Sequence, residues 1–168
     1  MRVLAMAAAV LVAMGTLVAP AQASVTPVYR YEIINRAASW LTANNGGRVP
    51  YDIYGRWDGY RTDCSGYVSM AARLDKPGPI TQDLPGYSSP ISMAELKRGD
   101  IVIDAIGDTW RDRHVVIFDR WVDPARRDYG YYAYEQRGDY GTDHRVRGYG
   151  LEPYSEYKAR RLNNVIDK

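Results

Sequence analysis

The chain contains one cysteine and two histidines. These few residues limit where nucleophilic chemistry could sit. Cys64 lies in TDCSGYVSM, Thr62 to Met70. With no second cysteine it can form an intermolecular bridge, remain an inert buried thiol or act as a reactive group. Its neighbours favour reactivity. The segment before it is rich in turn residues, whereas SGYVSMAARL reads as a helix, with Val68, Ala71 and Ala72 at i, i+3 and i+4. Asp63 then falls at a capping position and Cys64 in the first helical turn. Unpaired N–H groups and the positive end of the helix dipole stabilise a thiolate there.

A thiolate needs a base. His114 opens HVVIFDRWV, a strand-like run, whereas His144 lies among charges in GTDHRVRGY. A histidine at the mouth of a buried strand can be held rigidly against a helix end, so His114 is the expected base. A third group should orient the imidazole through its other nitrogen. The run GYYAYEQRG offers Glu135 and Gln136, adjacent and therefore on opposite faces of a strand. Parity alone leaves both open.

Elements that could position these residues can be read around them. Thr26-Pro27 reads as N-cap and N1 of a first helix through VYRYEIINRAASWLTANN, with Ile33, Ala37 and Leu41 on one face and Gly46-Gly47 as its stop. Lys76 to Pro90 is a turn-dense loop, and Ser92 with Glu95 forms a capping box. Strands are expected at DIVIDA, HVVIFDRWV, YYAYEQ, HRVRG and YKARRL. A helical half followed by a stranded half is α+β in class.

Residues 1–23 read as a secretory signal peptide. Arg2 precedes an apolar run that ends in Ala21-Gln22-Ala23, with cleavage expected near Ala23-Ser24. The run is short for a membrane span and no lipobox cysteine follows, so a secreted product without a membrane anchor is expected. Residues 24–168 then form a single catalytic domain without room for a separate wall-binding module. Net charge is +2 and no basic stripe interleaves with aromatics, which excludes nucleic acid as a natural partner. Fifteen tyrosines against one phenylalanine suit half-wet clefts and polymeric ligands, or simply a tyrosine-tolerant surface. Two histidines without cysteine partners make no zinc constellation, so neither metal nor cofactor is expected.

Asp63-Cys64-Ser65-Gly66-Tyr67-Val68 resembles the D-C-S-G-hydrophobic-V signature of the NlpC family of papain-like cell-wall cysteine peptidases. Pro50-Tyr51 resembles that family's P-Y element. LKRGDIVI, Leu96 to Ile103, is similar to its L-[KR]-x-G-D segment, and RHVVIF to its histidine strand. There are departures. Asp52-Ile53-Tyr54-Gly55-Arg56 follows the P-Y pair, Arg113 stands where a small residue is usual, and the third residue is not histidine. YEQ is instead similar to the E-Q-N strand of the related CHAP amidases, in which the glutamate orients the histidine.

The resemblance implies a papain-like fold, with the cysteine helix packed on a small antiparallel sheet or barrel. It also implies a secreted, monomeric hydrolase that cuts an amide of peptidoglycan or muropeptides, as stem-peptide endopeptidase or amidase. Cys64, His114 and Glu135 would form the triad, with Gln136 as the alternative third member. Tyr51, Asp63 and Ser65 would serve the oxyanion or the substrate, although Asp63 and Ser65 are equally natural helix-start residues. The alternatives are a papain-like acyltransferase or deamidase, an antibacterial effector, and a non-catalytic wall-binding module.

Overall fold

The structure, a computed structural model, describes residues 26–109 and 111–167. The expected signal peptide lies outside the described residues. A short strand β1 (Val28–Tyr29) leads into helix α1 (Arg30–Ser39). The helix starts later than Thr26-Pro27 predicts, because Val28 and Tyr29 pair in parallel with Val165 and Ile166, strand β10. Tyr29 becomes the N-cap, and Glu32 reaches back to its N–H at 3.0 Å. Ile33, Ile34 and Ala37 are buried as expected, whereas Ala38 and Leu41 only flank the core.

A hairpin of β2 (Asp52–Trp57) and β3 (Tyr60–Thr62) precedes helix α2 (Cys64–Ala71). Sequence reading took this hairpin for turns. Every residue of α2 is buried, including the small ones that let it approach its neighbours. At Gly66 an added Cβ would lie 2.2 Å from the Arg61 carbonyl oxygen. Glycine there admits the backbone of β3.

The remaining strands form a six-stranded sheet in the order β4-β9-β5-β6-β7-β8, and all of its pairs are antiparallel. They are β4 (Ser88–Pro90), β5 (Ile101–Asp104), β6 (His114–Trp121), β7 (Tyr131–Arg137), β8 (Gly141–Arg147) and β9 (Lys158–Leu162). Period-two alternation gives the sheet two apolar faces. Ile101, Ile103, Val115 and Ile117 face α1 and α2, while Val102, Val116, Phe118 and Ala133 face Leu96, Met93, Tyr149 and Tyr157. The architecture is therefore α+β, with the cysteine helix packed on an antiparallel sheet.

Asp100 ties the layers together. It is fully buried and accepts from Arg30 of α1 at 2.8 Å, from Arg161 of β9 at 2.8 Å and from the Lys97 N–H at 2.8 Å. A buried carboxylate is tolerated only when so paired. This gives the Gly-Asp of LKRGD a structural reason. No described helix is long and apolar enough to cross a membrane.

Candidate active site

Asp63 caps α2, its Oδ1 accepting from the Gly66 N–H at 2.6 Å. That cap fixes Cys64 in the first turn, where its own N–H has no intrahelical acceptor. The thiol is 6 % exposed and lies 3.5 Å from Thr81 Oγ1. It is coupled electrostatically to the His114 imidazole.

His114 is the first residue of β6, and Glu135 stands on neighbouring β7. Alternation along the strands places Glu135 with Ala133 and His114 with Val116, all on one face. His114 Nε2 donates to Glu135 Oε2 at 2.9 Å, leaving Nδ1 for the thiol. Gln136 points the other way. Its amide lies within 3.2 Å of the Val49, Pro50 and Thr62 carbonyls, and its oxygen accepts from Thr142 at 2.6 Å. Register thus decides what parity left open: Glu135, not Gln136, meets the imidazole.

The electrostatics are coupled. Burial pushes the Cys64 thiol up, but the hydrogen bond and charge of His114, with Thr81, bring it below its ordinary value. Burial likewise pulls His114 down, and its bonds to Cys64 and Glu135 outweigh this and raise it to about 9. Glu135 is held below the usual carboxylate range: burial opposes ionisation, while His114 and Arg147 more than compensate. These couplings favour a thiolate–imidazolium pair backed by a carboxylate.

Tyr51 is half-buried beside this pair. Burial, then the charges of Cys64 and Asp63, push its phenol well above the ordinary value, so at neutral pH it is an O–H donor. Asp63 and Ser65 line the same small cavity as Cys64, of about 180 Å³. Their polar atoms are engaged, however. Asp63 Oδ1 also accepts from Ser65 Oγ at 3.0 Å, and Asp63 Oδ2 from Arg61 Nε at 2.7 Å. Arg61 in turn donates to Ser65 Oγ at 2.9 Å.

Several neighbours were not singled out from sequence. Arg147 donates to Glu135 Oε1, and Tyr149 meets the His114 ring edge-on at 5.9 Å. Tyr149 also stacks on Tyr157 at 4.3 Å. For the tyrosines the advance signal was their overall excess; Arg147 had none. Among the described residues, no group of three or more His, Cys, Asp or Glu could hold a metal ion.

An α+β sheet carrying an imidazole against a cysteine at a helix start is the papain-like arrangement, and solved structures agree on the fold. The chain is similar to an NLP/P60 family protein of Staphylococcus aureus, titled as similar to lipoprotein, at 19% identity and TM-score 0.52, covering 83% of this chain and 45% of that one. It is likewise similar to an NlpC/P60 family protein of Bacillus cereus, at 16% identity and TM-score 0.53, covering 82% and 41%. The peptidoglycan hydrolase RipB of Mycobacterium tuberculosis matches at 18% identity and TM-score 0.49, covering 79% and 63%. The chain thus spans less than half the length of the first two and under two thirds of the third. No family model and no curated protein matches the sequence. The fold is that of NlpC/P60 structures.

Proposed function

We propose that the protein is a secreted cysteine hydrolase that cleaves an amide bond of peptidoglycan through Cys64, His114 and Glu135. The observation that carries this reading is the His114–Glu135 bond at 2.9 Å, with the imidazole coupled electrostatically to the Cys64 thiol at the start of α2. The thiolate attacks the amide carbonyl, and the Cys64 N–H and Tyr51 hydroxyl face the oxyanion that develops. His114 gives its proton to the leaving amine, then takes one from water as the thioester is hydrolysed. Glu135 keeps the imidazole oriented and favours its charged form.

The wall substrate rests on the D-C-S-G, L-K-R-G-D and His-Val resemblances together with the NlpC/P60 fold. In this reading Asp63 and Ser65 serve chiefly to hold the helix start, since Arg61 already occupies them.

The test is a digest of purified peptidoglycan and soluble muropeptides, read by mass spectrometry beside Cys64→Ala. New free carboxylate and amine termini that require Cys64 are expected, and the product masses identify the bond. A new conjugate in place of a free carboxylate would make the protein an acyltransferase. Intact substrate under reducing conditions, with Cys64 alkylating readily at neutral pH, would remove the wall substrate and leave the nucleophile.

A further inference from the structure

A second cavity, of about 830 Å³, opens on the His114 side of the site. Its lining carries Arg111, Arg113, Arg137, Arg145 and Arg147 against two carboxylates, Glu135 and Asp139. The small cavity holding Cys64, Asp63, Ser65 and Thr81 lies on the helix side, and Tyr51, Ile53 and Arg113 line both. Chemistry assigns the two sides if the hydrolase reading above holds. The imidazole protonates the leaving amine, so that amine departs into the arginine-lined cavity while the acyl group remains over the helix.

Of the two carboxylates in this cavity, Glu135 is committed. Glu135 takes His114 and Arg147 and lies 3.8 Å from Arg137, whose own bond goes to Asp143 at 3.0 Å. Arg113 gives one N–H to the Gly107 carbonyl at 2.9 Å. The Arg145 side chain is exposed and makes no ion pair or hydrogen bond with any described residue. A surplus of guanidinium groups therefore borders the place the leaving amine must occupy. Guanidinium recognises carboxylate by parallel, charge-assisted hydrogen bonds. Arg113 also replaces the small residue that the family signature has before its histidine.

We infer that the leaving-amine side of the substrate carries a free carboxylate, held by Arg113 and Arg145. This rests on the hydrolase reading for its direction, but its test does not depend on turnover. The full chain carrying Cys64→Ala is titrated calorimetrically with a peptidoglycan stem tripeptide, and with the same tripeptide carboxamidated on the leaving side.

The free acid is expected to bind at least about tenfold more tightly, a gap that narrows as salt is added. In Arg113→Gln/Arg145→Gln the gap closes to about threefold or less. Arg145→Gln alone, at an exposed side chain without partners, keeps the fold and closes part of the gap. Equal binding of the two peptides, no binding of either, or a gap untouched by the double substitution overturns the inference. So does an oligo(glycerol phosphate) probe that binds these arginines more tightly than the peptide. If the wild-type protein cuts neither peptide while the gap persists, the hydrolase reading fails and the carboxylate site stands. Cutting without a gap gives the reverse.

Discussion

The sheet carries two histidine–carboxylate pairs of nearly identical geometry. His114 Nε2 meets Glu135 at 2.9 Å, and His144 Nε2 meets Asp119 at 3.0 Å. Both carboxylates are almost fully buried, and both take arginine partners: Arg147 at Glu135, and Arg98 and Arg120 at Asp119. The pairs differ in what else each imidazole meets. His114 faces the thiol of α2, whereas His144 stacks on the Tyr134 ring at 4.0 Å and lies 5.8 Å from that of Tyr132. An imidazole held by a carboxylate thus occurs twice in this sheet. In the proposed mechanism only His114 transfers protons, because only it has a nucleophile at its second nitrogen.

The sharpest way to break the comparison is to remove each imidazole in turn. His114→Gln should lower the rate of amide hydrolysis about 10³-fold or more, because both the base and the later acid are lost. It should also raise the pH at which Cys64 alkylates, since the cation that stabilises the thiolate has gone. His144→Gln should leave both readings within about threefold and cost stability instead, roughly 1–2 kcal/mol for a lost charge-assisted bond. Measuring iodoacetamide reactivity against pH and urea unfolding on both variants separates the roles. Comparable rate losses would show that the two pairs are not functionally distinct.

The carboxylates give the next largest effect, on the pH profile. His114 rises from about 6.5 to about 9, so the imidazolium is retained through neutral pH and lost as pH passes about 9. Activity should therefore hold through neutral pH and fall on the alkaline side near that value. Glu135→Gln removes a negative neighbour, which lowers the His114 value. The alkaline limb should move to lower pH, with kcat down about 10²-fold. Asp119→Asn should leave that limb in place. An unmoved limb in Glu135→Gln would mean that the glutamate braces the ring without tuning it.

What could be read from sequence was whatever is local. The Asp63 cap, the α2 pattern, the alternation of β5 to β9 and the candidacy of Glu135 and Gln136 all lie within short windows, whereas the choice between those two needed the pairing of β6 with β7. What escaped depends on partners far along the chain. Helix α1 starts after Tyr29 because β10 pairs with residues 28 and 29, and the hold of Arg147 on Glu135 joins two strands of the sheet. The β2–β3 hairpin is a different kind of miss. Asp58-Gly59, both with positive φ, is a two-residue hairpin signal that sat in plain view. The signal is weak because the flanking residues alternate poorly and half of β2 is exposed. Of the site, the three members of the relay could be named in advance, whereas Thr81, Arg61 and the tyrosines of the tail could not.

Gln136 supplies the smallest and most specific contrast, one residue from Glu135 on the same strand. Its amide binds the carbonyls of Val49, Pro50 and Thr62, so it joins the segment that carries Tyr51 to the end of β3, just before the capped helix. Gln136→Leu preserves volume but takes the amide donor from the Thr62 and Pro50 carbonyls and the acceptor from the Thr142 hydroxyl, a loss of about 2–3 kcal/mol. The lower urea midpoint should come with only a few-fold fall in kcat, transmitted through the placement of Tyr51 and Cys64, and with an unchanged alkaline limb. Glu135→Gln predicts the opposite split: a shifted limb, with a rate loss larger than stability explains. If Gln136→Leu moved the limb as well, the imidazole would be sensing the whole strand. The alternation that separates a tuning residue from a bracing one would then have no functional meaning here.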